Sequence, residues 1–120
     1  MGYRSFEQGH WFAAEPDRVW RLLVDPVAIV ELDEHGSRVE PPIAAPVTVG
    51  DRWTEVHGDE CDGDRVPWRV VALSVGSSIT EVGAQRGIRQ TVTSTVHPHD
   101  GGTWLTVKVV FAPGVAGRAR

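Results

Sequence analysis

Apolar and polar residues follow two rhythms along the chain, and the rhythm changes twice. Tyr3 to Phe12 reads as a first strand. From Ala14 to Asp25 the spacing turns helical, with Val19, Leu22 and Leu23 on one side. Pro16 suits the first helical position, where its missing N–H costs nothing, and Glu15 and Asp17 put negative charge at the positive end of the helix dipole. Asp25-Pro26 ends this helix and starts another by cap-then-proline logic, with Val27, Ile29, Val30 and Leu32 as its apolar side.

From Ser37 onward the texture is β. Ser37 to Glu40 predicts a short strand, and the proline-rich run Pro41 to Pro46 a connection. Strands follow at Gly50 to His57, Val66 to Val75, Ser78 to Ala84, Gly87 to His97 and Thr103 to Phe111. The acidic stretch Asp59 to Asp64 reads as a hairpin turn, and Pro98 to Gly102 as another. In the last strand Leu105, Val107, Val109 and Phe111 share a face; in the strand before it Ile88, Gln90, Val92 and Val96 do. One apolar and one polar face predict an α+β domain with an antiparallel sheet covered on one side.

Composition narrows the picture. A single domain spanning residues 1–120 fits the length, and 41% apolar residues can supply a core. The net charge of −4, with Lys108 as the only lysine, speaks against a nucleic-acid partner. Cys61 stands alone, so no internal disulfide framework is expected. The N-terminus carries no apolar signal region, and no run approaches the ~20 apolar residues of a membrane span. The expectation is a cytoplasmic protein without membrane insertion.

The order of these elements, with Phe12-Ala13-Ala14, the helix from Pro16 to Leu23 and then Asp25-Pro26, resembles the opening of the SRPBCC (START-like) superfamily, in its polyketide cyclase/dehydrase and lipid-transport branch. Val49-Gly50-Asp51-Arg52-Trp53 is similar to that family's Val-Gly-x-Arg-aromatic strand start, and His99-Asp100-Gly101-Gly102-Thr103 to its Gly-Gly-Thr turn. The resemblance implies a helix-grip fold: a curved antiparallel sheet around a long C-terminal helix, with a ligand cavity between them. Here only Ala112 to Arg120 follow Phe111, rich in Gly and Arg. The family's helix of roughly 20 residues therefore looks missing or truncated. A homodimer or a partner helix is the expected cover for the apolar face left open.

The resemblance also implies that Trp53 points inward. Glu55 and His57 then share its face by the period of two and form a candidate acid–base pair, unless the strand is flipped or lies at the rim. His10, on the face of Phe6 and Gln8, is a third candidate for proton transfer, or else a hydrogen-bonded structural histidine. Gln90 is the polar outlier on an apolar face, a group that needs a partner. With Trp53, Val92, Val107 and Val109 it makes up the expected ligand-binding lining. Trp68 and Arg69 occupy the strand that supplies a cavity arginine in several aromatase/cyclases, and only one of the two can face in.

Trp20 and Trp104 read as packing residues. His97, His99 and Asp100 sit too close together in one turn to hold a metal without ligands from elsewhere, and Asp59, Asp62 and Asp64 lack the spacing of a calcium loop. No metal and no cofactor is expected. The expected function is binding of a hydrophobic, aromatic or polyketide-like small molecule, with cyclase/dehydrase proton transfer as the catalytic version. The alternatives are a non-catalytic lipid or small-molecule carrier, and an interaction module using the uncovered sheet face.

Overall fold

The computed structural model describes residues 3–32, 36–58 and 64–113. Strand β1 (Arg4–Phe12) leads into helices α1 (Pro16–Leu23) and α2 (Pro26–Glu31). Strands β2 (Arg38–Glu40), β3 (Arg52–His57), β4 (Asp64–Ser74), β5 (Ser78–Gln85), β6 (Ile88–His99) and β7 (Gly102–Pro113) follow. They form one seven-stranded antiparallel sheet in the order β1-β7-β6-β5-β4-β3-β2. The first strand returns beside the last, and every other neighbour is a sequence neighbour.

The turns explain the meander. Arg86-Gly87 and Asp100-Gly101 are two-residue loops with positive φ at both positions, the twist-matched geometry for a tight hairpin. Strand β6 runs two residues past its expected end, through Pro98 to His99, so the turn expected at Pro98–Gly102 is only Asp100-Gly101. The reason is local. The Val96 amide donates to Ser77 O, so by the strand's period the nitrogen of residue 98 points the same way, past the start of β5 at Ser78, where no acceptor waits. The expected turn over Asp59–Asp64 falls largely on residues outside those described, and so does Cys61.

Both helices start with proline, as the pattern predicts. Helix α1 is shorter than the expected Ala14–Asp25, because Asp25 already serves as the cap of α2, accepting from Ala28 N at 3.1 Å. Removing that cap with Asp25→Ala should cost about 1 kcal/mol in urea unfolding. An unchanged midpoint would mean that packing alone holds α2.

Directly opposed residues share a face, so register assigns the side chains. The inner face carries Val39 (β2), Trp53 and Glu55 (β3), Trp68 and Val70 (β4), Ile79 and Glu81 (β5), Gln90, Val92 and Val96 (β6), and Leu105 (β7). A bulge between Val70 and Ala72 shifts the phase of β4, so that Leu73 rather than Ala72 opposes Ile79. Val19, Trp20 and Val24 from the first helical segment and Val30 from α2 pack on this face against Val39, Trp53, Val70, Ile79 and Val96. The Thr103 hydroxyl donates to Ala14 O at 2.7 Å and ties the start of α1 to β7. Beyond the helices the inner face of β1 and β7 lies open among the described residues, with Phe6 57% exposed and edge-on to Phe111.

No helix of the described residues is long and apolar enough to cross a membrane.

Candidate functional site

Alternation on three adjacent strands places two carboxyl groups and two indoles on one apolar surface. Trp53 and Glu55 come from β3, Trp68 from β4 and Glu81 from β5, while Gln90 and Val92 extend the surface onto β6. Pro26, Ile29 and Val30 of α2 face them and close a hollow of about 280 Å³.

The groups are held in different ways. Trp68 Nε1 donates to Glu55 Oε1 at 3.0 Å, which fixes that carboxylate against the edge of the indole. The same oxygen lies 3.8 Å from His57 Nε2. His57 sits at the rim, half in solvent, with its Nδ1 3.3 Å from the Ser37 hydroxyl. Trp53 is a buried wall, 6% exposed. Gly83 stands opposite Trp68 on β5, and a Cβ there would come within 2.8 Å of the Trp68 ring. The bare glycine lets the ring lie flat across the neighbouring strand.

Glu81 has no hydrogen-bond or ion-pair partner among the described residues. Burial, and secondly the negative charge of Glu55, push its carboxyl up to about 7. It therefore keeps its proton below about pH 7. A protonated carboxyl beside a fixed carboxylate, on an apolar wall, can donate to an acceptor on a bound molecule while its neighbour receives a proton.

Glu55, Trp53, Trp68, Gln90 and Val92 come together here, with His57 beside them. The others lie elsewhere. His10 is on the inner face, but on β1 opposite Leu105, where it is exposed and faces the Phe12 ring at 6.5 Å. Val107 and Val109 line a separate hollow of about 520 Å³ with Phe6 and Phe111, under the open half of the sheet. Arg69 points to the outer face, opposite Arg52, which leaves Trp68 as the inward member of that pair. Sequence reasoning missed Glu81. Its signal is present, since Ile79, Glu81 and Gly83 alternate on one face, but Val82 and Ala84 make the other face equally apolar, so alternation alone does not mark the inner side.

No protein-family model matches the sequence, and no functionally curated protein does. Solved structures do match. The protein named Ara h 8.0201 superposes with a TM-score of 0.77 at 15% identity, over 93% of this chain and 78% of that one. A protein from Rhodobacter sphaeroides gives 0.75 at 25% identity, over 96% and 77%. CalU16 from Micromonospora echinospora gives 0.64 at 16% identity, over 90% of this chain and 60% of that one. These neighbours share the seven-stranded curved sheet with two short helices, while the long C-terminal helix has no counterpart among the described residues. By fold, this chain is a helix-grip domain, like these solved structures.

Proposed function

We propose that the hollow under α2 binds a small, largely apolar molecule through one polar group, a carbonyl above all, and that the Glu55–Glu81 pair moves protons at that group. The observation that carries this reading is Glu81: a carboxyl pushed up to about 7, unpaired, beside a second carboxylate and two indoles. At about 280 Å³ the hollow lies near the lower end of small-molecule sites, which suits a compact aromatic ligand. The reaction class is enolisation of a carbon acid. Glu81 would donate its proton to the carbonyl oxygen as the Glu55 carboxylate takes one from the adjacent carbon, the first step of an aldol-type cyclisation or dehydration. His57 at the rim would pass the proton on to solvent. One solved neighbour, DynU16, is described as a putative protein in the dynemicin biosynthetic locus, which is compatible with this reading and names no substrate.

The test uses 2-acetylnaphthalene, a neutral aromatic ketone that does not titrate. It should bind roughly tenfold more tightly at pH 6 than at pH 8.5, because only protonated Glu81 donates to the carbonyl. Glu81→Gln should make binding independent of pH. Deuterium should enter the methyl group in heavy water faster than in buffer alone, and Glu55→Gln should abolish the excess. Binding that is flat with pH in the unaltered protein would overturn the role of Glu81. Binding without exchange would make the domain a carrier.

A further inference from the structure

The outer face of the same strands carries a second, chemically opposite hollow. It measures about 360 Å³ and lies over β3, β4, β5 and the start of β6. Three arginines line it: Arg52 and Arg69, directly opposed across β3 and β4, and Arg89 at the start of β6. None of the three has an acidic or hydrogen-bonding partner among the described residues. Arg4 and Arg18 also lack such a partner among the described residues, but they stand apart from this hollow, and the other four described arginines are paired. Arg21 is paired with Asp17, Arg86 with Asp64, and Arg38 and Arg65 both with Glu40. Glu40, the one acid lining this hollow, is thus already engaged by two cations of its own.

Like charges at directly opposed positions of an antiparallel pair destabilise the sheet. On a chain of net charge −4, with more acids than bases, an adjacent acid could have relieved them. Instead the walls around the guanidinium groups are apolar or neutral: Pro41, Pro67, Val82 and Thr54. Planar, permanently charged forks converging on a hollow with flat apolar sides suit an oxyanion carried on a flat organic body, since guanidinium groups bind such anions through paired N–H donors.

We propose that this outer hollow is a binding site for a small organic oxyanion, a phosphate monoester or carboxylate with an aromatic or similarly flat body. It lies on the opposite side of the sheet from the Glu55–Glu81 hollow and stands without that reading. Removing one arginine would both weaken the anion and relieve the repulsion in the free protein.

Calorimetric titration at low salt tests this with phenyl phosphate and benzoate as probes and benzyl alcohol as the neutral control. Saturable one-to-one binding of at least one anion, and none of the alcohol, is expected. Arg69→Gln and Arg52→Gln should each weaken the anion at least tenfold without lowering the thermal midpoint. Lys108→Gln, a cation on the outer face of β7 away from the hollow, should leave affinity unchanged. Arg89→Gln provides the same reading free of the opposed pair, should either of the first two variants unfold. Affinity unaltered in the arginine variants would overturn the proposal. So would an equal loss with Lys108→Gln, which would indicate diffuse attraction. Saturable binding of an acidic peptide or an oligonucleotide, with neither small anion bound, would assign the face to a macromolecule instead.

Discussion

Glu81→Gln should stabilise the protein at pH 8 and leave its stability at pH 4 unchanged. The folded state holds the Glu81 proton up to about pH 7, while in the unfolded chain the same group ionises near 4.5. Below 4.5 both states carry the proton and the carboxyl makes no difference. As pH rises from 4.5 to 7 the unfolded chain releases the proton and the folded protein does not, so the folded state binds more protons and stability falls. Above 7 the full penalty is present, at most about 3 kcal/mol from the separation of the two values. That is a sizeable share of the 5–15 kcal/mol that a small domain typically possesses. Glutamine keeps the shape and carries no charge, so it removes the pH-dependent penalty. The check is urea unfolding of both proteins at pH 4, 6 and 8, taking the difference at each pH, which cancels every other titrating group to first order. A difference that stays constant with pH would show that Glu81 is not the buried acid. Glu55→Gln should narrow the same window from above, because the Glu55 charge is the second cause of the shift.

A natural protein that keeps this acid accepts a cost at the pH where it works, and such costs collect where a ligand can repay them. The outer arginines have the same character. One hollow holds a carboxyl that resists ionisation, the other a pair of cations that repel, and the strands carrying Trp53, Trp68 and Gly83 separate them. Neither feature helps the sheet to fold, and under the two proposals each is relieved by a bound molecule of the right polarity.

Much of the fold was legible because its signals are local. Proline at the start of each helix, Asp25 as a shared boundary and Asp100-Gly101 as a tight turn all act over a few residues. The family resemblance turned Trp53 inward, and alternation then put Glu55 on its face and Gln90 on the face of Val92. What alternation could not supply was distance across the sheet. His10 has the expected face but lies on β1, on the far side of β7 and β6 from the carboxylates. Arg69 and Trp68 could not be told apart because β4 has apolar residues on both faces, Val66 and Val70 inside and Pro67 and Val71 outside, and a bulge then changes the phase. Pro98 reads as a breaker everywhere except where its nitrogen meets no neighbour, which depends on where β5 begins. Glu81 needed the pairing of β5 with β4 before its position beside Glu55 could be seen. Local chemistry chose the elements; register chose the site.

Gly83→Ala should lower stability by about 1–3 kcal/mol and damage ligand binding more than any other single methyl added to the sheet's inner face. An alanine in a strand ordinarily gains from reduced freedom of the unfolded chain, by about 0.4–1 kcal/mol where the backbone is compatible. Here that gain is outweighed. The new Cβ would lie 2.8 Å from Cε3 of Trp68 and 2.9 Å from Cζ3, on a rigid ring rather than the end of a flexible side chain. The ring cannot retreat freely, because its Nε1 donates to Glu55 at 3.0 Å and its body lines the hollow between Trp53 and Glu81. Moving it aside releases Glu55 and narrows the space above Glu81 at the same time. Two readouts separate the effects. Urea unfolding reports the steric cost, and titration with 2-acetylnaphthalene reports the site. Gly83→Ala combined with Trp68→Leu supplies the control, since the smaller side chain leaves room for the methyl and the added cost of alanine should vanish in that background. Persistence of the full alanine penalty there would place the strain in the backbone of β5 instead of under the Trp68 ring.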